Sequence, residues 1–476
     1  MKIAYICSEA NPYVKTGGLA DVTFSLSKEL VKVGHDVAIV LPFYNQIKEK
    51  IGECEFLGSF DVHMSWRNEG ANIYFKTYQG IKYYFIENRR YFERQHIYGY
   101  DDDGERFAFF CLASLKALEI IPFKPDIIHV HDWQVGMVPV ICKENKLPFY
   151  ANTKFVLTIH NSAFLGFLDK SSLPELYNLD ESLFNGGALR LYDRVSTLKA
   201  GIIYADKITA VSPNNRNELL TSEGGNGLDG VLRLREFDFV GILNGIDYDE
   251  YNPTKDIYIQ NHFNQNNFTL NKKRNKIALC EKLNLSNPEA PLFAVVTRMT
   301  WQKGAELIFK AVHEIVRNGG NVVLLGSGEF INECEMNNLH AQYPNNVAVY
   351  IGYNNELAHQ IYASSDFFMM PSLFEPCGLG QMIAERYGTL PIVRRVGGLR
   401  DSVIPFDGTN SDKANGFGFD AFSTFEMNRT CIYAIQAYND KELLNKLRAN
   451  ALKRDNSWKS SVRDYIFLYQ SITNKK

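Results

Sequence analysis

Lys15 stands just ahead of two adjacent glycines, Gly17 and Gly18, in the stretch YVKTGGLADV, directly after the apolar opening KIAYICS. Glycines at a helix start leave backbone N–H groups bare, and the helix dipole favours an anion there. Lys15 would add a cation to the same place, although a glycine turn beside a solvated lysine reads the same way. In the second half of the chain, Arg298 and Lys303 share the stretch TRMTWQKG, which follows the apolar run PLFAVVT. An arginine fork grips phosphate oxygens and a lysine adds a point charge, so the pair suits a diphosphate. Arg/Lys pairs are also common on plain surfaces. Glu375 follows a further strand-like run in MPSLFEPCGLGQ. A proline turn and Gly378 come next, which would let a ligand reach the backbone N–H groups of Leu379 and Gly380. Cys377, beside them, has no obvious His and Asn set to make it a nucleophile. His160 and Asn161 close the strand-like TIHN, where a histidine serves either packing or a ligand.

Each of these groups needs a strand to present it. Short runs rich in Val and Ile alternate with helix-length amphipathic segments, the pattern of parallel βαβ units. The first half offers KIAYICS, DVAIVLP, DIIHVHD, KFVLTIHN, KITAVSP and VGILNGID as strands, with helices such as 106–119 and 216–220 between them. Residues 54–87 break the rhythm with three strand-like runs separated by Gly and Asn turns, which reads as an antiparallel insertion. After Asp247 the Asn-rich stretch YNPTKDIYIQNHFNQNNFTLNKKRNKIALC shows little periodicity, and its composition predicts a surface linker. The rhythm then restarts with PLFAVVT, a helix over 305–318, NVVLLGSG, NVAVYIGY, a helix through NELAHQIYASS, DFFMMPS, a helix from Leu379, and LPIVRRVGG.

The expected fold class is therefore α/β, with two doubly wound, Rossmann-like domains over 1–247 and 248–457. An amphipathic C-terminal helix over 458–476 is expected to cross back to the first. Ligands of open α/β sheets sit beyond the carboxyl ends of the strands, so two such sheets facing each other would share one deep interdomain cleft. KTGGLAD, after the first strand, lacks the GxGxxG spacing of a dinucleotide fold, which argues against NAD.

The totals agree with two domains, since 476 residues exceed what one core supports. The 51 basic and 54 acidic residues nearly balance, which argues against nonspecific nucleic-acid or membrane binding. The eight cysteines form no CxxC pair, so neither a zinc ribbon nor a redox dithiol is indicated. No apolar stretch reaches the ~18–20 residues that cross a bilayer, and the opening apolar run is too short for a signal-peptide core. A reduced chain without an export signal is expected to be cytoplasmic.

The stretches KTGGLADV, HDWQ, TIHN, NGID, RMTWQKG, GYNNELAHQIYASSD, PSLFEPCGLGQ and ERYGTLPIVRRVGGLRDSV together resemble the bacterial glycogen synthase and plant starch synthase family, in that family's order. The tail SWKSSVRDYIFLYQ matches as well, so the resemblance covers nearly the whole chain. It implies a GT-B fold and a glucosyltransferase that moves glucose from ADP-glucose to the non-reducing end of an α-1,4-glucan, with retention and without a metal or other cofactor. Its partners would be that donor and glycogen or a malto-oligosaccharide. The resemblance places Arg298 and Lys303 on the leaving diphosphate, with Lys15 and the backbone of Gly17 and Gly18 on the opposite wall. It stacks Tyr353 on the adenine and lines the ribose and sugar with Glu375, Cys377, Gly378 and Leu379. His160 would lie beside the glucose and Asp21 near the junction of donor and acceptor, while Asn161 and Asn244 would hydrogen-bond sugar or phosphate. Tyr98 and Arg106 match a loop of the family's cleft. Three positions depart from the family's common pattern: Gly380 where many members have Thr, Leu373 where many have Arg, and Gln134 where many have His. Ile383 stands where the related E-x7-E transferases carry their second Glu.

Overall fold

In the computed structural model, which describes residues 1–473, the chain forms two compact units. The first is Met1–Ile242 together with the C-terminal helix Trp458–Thr473, and the second is Leu243–Ser457. Residues 474–476 of the expected tail lie outside the described residues. The first unit ends at Ile242 and not at Asp247. The reason is local, because the amide of Ile246 donates to the carbonyl of Asn456 at 2.8 Å and Ile246 forms a parallel bridge with Ser457. Those bonds tie NGID into the second unit, and Asn244 goes with it.

The first unit is built on a nine-stranded sheet in the order Phe239–Gly241, Lys207–Ala210, Lys154–Ile159, Ile127–His131, Lys2–Ile6, Asp36–Pro42, Ile81–Glu87, Arg67–Tyr78, Glu55–Met64. The first seven run parallel. Parallel strands are covered on both faces, which is why they read as continuous apolar runs. In Asp36–Pro42 every residue from Val37 on is buried, and each Val, Ile or Leu so buried contributes about 1.5–3 kcal/mol. The expected antiparallel insertion is only partly one: Ile81–Glu87 lies parallel to Asp36–Pro42, and the hairpin Glu55–Met64 with Arg67–Tyr78 extends the sheet beyond it. A small three-stranded sheet of Phe167–Leu168, Arg190–Leu191 and Arg194–Ser196 was not legible as strands, because its segments are two or three residues long.

The helix Trp458–Thr473 buries Trp458, Val462, Tyr465, Leu468 and Tyr469, an apolar stripe at helical spacing. The Tyr469 hydroxyl lies 2.9 Å from that of Tyr5 and 2.7 Å from Nδ1 of His129, so the last helix closes onto the first strand.

The second unit carries a six-stranded, all-parallel sheet in the order Val347–Ile351, Asn321–Gly326, Leu292–Val296, Phe367–Met370, Leu390–Arg394, Phe417–Phe419. Helices such as Ala305–Arg317, Asn355–Ser364 and Thr424–Asn439 alternate with its strands.

The expected surface linker after Asp247 is instead structural. Phe268–Lys282 is a helix, and Asp256, Phe263, Phe268, Lys272, Asn275 and Lys276 are buried. Its polar residues are inside because each meets a partner. Asp256 accepts from His359 at 2.8 Å and from the Tyr387 hydroxyl. The Lys272 ammonium reaches the carbonyls of Tyr362 and Ala363, each at 3.2 Å, and the Thr389 hydroxyl at 2.6 Å. Lys276 meets Asp366 at 2.6 Å.

Candidate active site

The parallel part of each sheet has one place where its strand order reverses, and ligands of open α/β sheets bind in the crevice there. In the first unit it lies between Lys2–Ile6 and Ile127–His131, and in the second between Leu292–Val296 and Phe367–Met370. The loops leaving these strands hold Lys15, Gly17 and Gly18 in one unit and Arg298, Lys303 and Glu375 in the other.

The loop after the first strand is organised by Glu9, which sequence reasoning missed. Its buried carboxylate accepts from the Thr16 amide, from the Gly17 amide at 3.2 Å and from the Thr16 hydroxyl at 2.7 Å. The amides before the helix Gly18–Lys32 are thus partly taken by the protein's own anion. The Tyr98 hydroxyl donates to Glu9 at 2.8 Å and lies 2.7 Å from Ser8 Oγ, so it buttresses the loop from behind. Arg106 is fully buried, donates to the carbonyl of Tyr91 at 2.7 Å and pairs with Asp103. It anchors residues 91–103 and presents no charge to a cleft.

Lys15 lies 2.8 Å from Asp21, which also accepts from Asn11 Nδ2 at 2.6 Å. This pair is half-exposed, and exposed pairs contribute roughly 0–1 kcal/mol. Neither Gly17 nor Gly18 has positive φ, and a Cβ built on either meets nothing within 4 Å. Nothing in the folded chain requires glycine at these two positions, while the space beside them stands open. Gly17→Ala and Gly18→Ala are accordingly expected to leave the melting temperature within a degree or two and to raise KM for the substrate that lies there. Thermal melts beside steady-state kinetics check this, and unchanged KM in both would remove the glycines from the site.

Behind the next strands stand His131 and Asp132, then His160 and Asn161. Asp132, also missed as a site residue although HDWQ contains it, is held at φ 59° and ψ −169°, a region that is nearly glycine's alone. Its carboxylate accepts from the amide of His160 at 2.7 Å and that of Asn161 at 3.3 Å. Burial pushes this carboxyl up to about 7 against the pull of the two amides. His160 Nε2 lies 2.9 Å from His131 Nδ1, and burial pushes the His160 imidazole down to about 3, so it is neutral at pH 7. The Asn161 side-chain oxygen accepts from the Ala163 amide at 3.0 Å.

In the second unit Arg298 is exposed and forms no ion pair or side-chain hydrogen bond among the described residues. Lys303, at the end of the turn Trp301–Lys303, lies 2.5 Å from Oε2 of Glu375, which also accepts from the Ser372 hydroxyl at 3.0 Å. The sequence put these two groups at one site but not in contact. The loop around Glu375 is gripped from below by Gly397 and Gly398: a Cβ on the first would sit 1.9 Å from the Glu375 carbonyl oxygen, and one on the second 2.2 Å from that of Cys377. Gly378 has an internal reason as well, since its φ is 75° and a Cβ there would meet Gln381 Oε1 at 2.5 Å. Leu379 is the residue that starts the short helix Gly380–Arg386. A Cβ at Gly380 would come within 2.9 Å of the Phe368 ring, so this chain fills with Phe368 the space a threonine would need. Cys377 is buried and its thiol is pushed up to about 12 by burial, which leaves it protonated and inert. Asn244 is buried, and its side-chain oxygen has no partner among the described residues. Tyr353, beyond the strand Val347–Ile351, is 84% exposed, and its hydroxyl donates to Asn355 Oδ1 at 3.1 Å.

The starch synthase catalytic domain family matches residues 2–234, and the glycosyl transferases group 1 family matches residues 281–454. A glycogen synthase of Clostridium kluyveri is 45% identical over 99% of this chain and 100% of its own length, and one of Clostridioides difficile is 43% identical over 99% and 100%. The chain belongs to the glycogen and starch synthase family. Among solved structures, the catalytic domain of Starch Synthase IV from Arabidopsis thaliana, bound to ADP and acarbose, superposes with a TM-score of 0.93 at 34% identity, covering 99% of both chains. Sucrose-phosphate synthase from Thermosynechococcus elongatus shares the fold at a TM-score of 0.64 and 16% identity. Glycogen and starch synthases have the GT-B fold, and the two Rossmann-like sheets described above are that fold's two halves. None of the described helices is long and apolar enough to cross a membrane.

Proposed function

We propose that this protein elongates glycogen by transferring glucose from ADP-glucose to the non-reducing 4-hydroxyl of an α-1,4-glucan, with retention of configuration and no metal. The observation that carries the reading is the cation pair after Leu292–Val296. Arg298 is exposed with no ionic partner among the described residues, and Lys303 is held by a single carboxylate. A departing nucleoside diphosphate is the ligand that such a pair, at the strand-order reversal, is suited to receive. The ADP in the Arabidopsis relative supports the choice of nucleotide.

In this reading the second unit serves the donor. Arg298 and Lys303 stabilise charge as it builds on the diphosphate, Tyr353 stacks on the base, and Glu375, Cys377, Gly378, Leu379 and Asn244 line the ribose and sugar. The first unit offers Lys15 and the Gly17 and Gly18 backbone to the donor phosphates, Asn161 to sugar or phosphate, His160 to the glucose and Asp21 to the junction of donor and acceptor, while Tyr98 holds Glu9 beneath the Lys15 loop. As the bond from C1 to the diphosphate stretches, the sugar takes on oxocarbenium character. The acceptor 4-hydroxyl attacks from the face the diphosphate is leaving and yields its proton to a phosphate oxygen, which preserves the configuration. Eight unpaired cysteines and a nucleotide-sugar donor fit a cytoplasmic site of action.

Incubating the enzyme with glycogen and labelled ADP-glucose or UDP-glucose tests donor, acceptor and reaction together. Label is expected in polymer from ADP-glucose, with ADP released in equal amount. Incorporation from UDP-glucose alone would overturn the donor, and nucleotide release without polymer label would overturn the acceptor.

A further inference from the structure

Three imidazoles line up behind the strand ends of the first unit. His129 and His131 lie two residues apart on Ile127–His131, so they share one face of the sheet. Both are fully buried, with ring centroids 4.5 Å apart and planes 23° from parallel. His129 has a partner on each nitrogen, the Tyr469 hydroxyl at 2.7 Å and the Thr158 hydroxyl at 2.6 Å. His131 has one: its Nδ1 faces His160 Nε2 at 2.9 Å, and its Nε2 is buried with no partner among the described residues. The half-buried ring of His160 in turn has no partner for its Nδ1 among the described residues. Burial keeps these rings neutral, holding His129 and His160 down at about 3 and His131 well below the usual histidine range.

We propose that His131 is a positioning residue that fixes the tautomer of His160: its Nδ1–H donates to His160 Nε2, so His160 carries its own proton on Nδ1 and donates it to a hydroxyl of the transferred glucose. This rests on the reading above that His160 lies beside that glucose. Two neutral imidazoles in contact share one proton, which leaves two arrangements. If His160 donated from Nε2, the proton of His131 would sit on its Nε2, a buried N–H with nothing to bond. In the other arrangement the unpartnered atom is a bare lone pair. Buried N–H groups without acceptors are the rarer case in folded proteins, because a donor stripped of water loses its whole hydrogen bond. The second arrangement therefore holds. It turns His160 Nδ1 into a fixed donor, whereas a histidine free to exchange tautomers would present a donor or an acceptor indifferently. The His129 ring stacked against His131, itself pinned by Tyr469 and Thr158, holds the donor in line.

Nitrogen-15 NMR of the histidine-labelled, full-length protein without substrate reads the tautomers directly. Protonated Nδ1 and bare Nε2 are expected for both His160 and His131, and a proton on His160 Nε2 would overturn the inference. His131→Phe keeps a ring in the stack and removes the donor. It is expected to release His160 to the Nε2–H form and to lower kcat ~10- to 100-fold with little change in donor KM. His131→Asn returns an N–H near the place of Nδ1 and is expected to recover both the tautomer and most of the turnover. If His131→Phe folds and leaves His160 protonated on Nδ1, His131 does not set it; if that variant fails to fold, the wild-type and His131→Asn spectra decide. Since the spectra need no substrate, a protein that shows the expected tautomers yet transfers no glucose refutes the proposed reaction and not the proton arrangement.

Discussion

Arg298→Ala is expected to lower turnover about 10²- to 10³-fold, or about 2.7–4 kcal/mol of transition-state stabilisation, while leaving thermal stability where it was. The two halves of this expectation have separate grounds. The guanidinium has no ionic partner among the described residues and is exposed, so its removal strands no buried group, and such surface substitutions usually stay within about 0.5 kcal/mol. Its effect on rate is large because a departing diphosphate gains charge as the reaction proceeds, and an arginine already in place stabilises that charge without reorganising. Arg298→Lys keeps a point charge and loses the fork, so it is expected to fall between. Lys303→Ala makes the contrast. It leaves the Glu375 carboxylate, only 8% exposed, without its cation, so turnover and melting temperature should drop together. Steady-state kinetics and thermal melts on the three variants check this. Wild-type turnover in Arg298→Ala would remove that residue from the reaction.

The largest stability effect is expected far from the chemistry, at Asp366. Its carboxylate accepts from Lys276 at 2.6 Å, from the Leu292 amide at 2.8 Å and from the Arg448 guanidinium, and all three charged side chains are buried. Asp366→Asn keeps the shape and removes the one negative charge between two cations, which is expected to cost about 3–5 kcal/mol in urea unfolding. The pH dependence has a definite sign. Burial pushes Asp366 up, but Lys276 and Arg448 together hold it below the usual carboxylate range. A depressed carboxyl contributes stability that is present above its unfolded value and lost as pH falls through its folded value. The wild type should therefore shed this contribution on acidification, and Asp366→Asn should lack that part of the acid limb. A variant within about 1 kcal/mol of wild type would show that the cluster is held by its hydrogen bonds and not by charge.

The alternation of strands and helices, the two-sheet architecture and the loops that hold the charged residues were legible because buried parallel strands write themselves as unbroken apolar runs. Polarity concealed the rest. Phe268–Lys282 buries Lys272, Asn275 and Lys276 against carbonyls and Asp366, so its inward face is polar and no hydropathy pattern reveals it. Glu9 and Asp132 escaped notice for a related reason. Each is a single acid just past a strand, and what distinguishes it is the backbone amides it collects. The left-handed backbone of Asp132 gives no sign in a sequence, although HDWQ, read as an acid directly after the strand, was the available clue. The glycines divide the same way. Gly397 and Gly398 are explained by close backbone approach and Gly378 by its positive φ, whereas nothing in the fold requires glycine at Gly17 and Gly18.

Because Trp458–Thr473 completes the core that Lys2–Ile6 begins, synthesis starts one unit first and finishes it last. Leu243–Ser457 leaves the ribosome as one uninterrupted stretch and has all of its sheet before the final helix is made. The earlier unit waits through all of that time with Tyr5 and His129 lacking the Tyr469 hydroxyl and with the bed of Trp458 and Tyr465 uncovered. A nascent chain thus carries an apolar seam for as long as its second half takes to translate, the kind of surface on which chaperones act and aggregation begins. A premature stop just before Trp458 removes no site residue, yet it leaves that seam open for good.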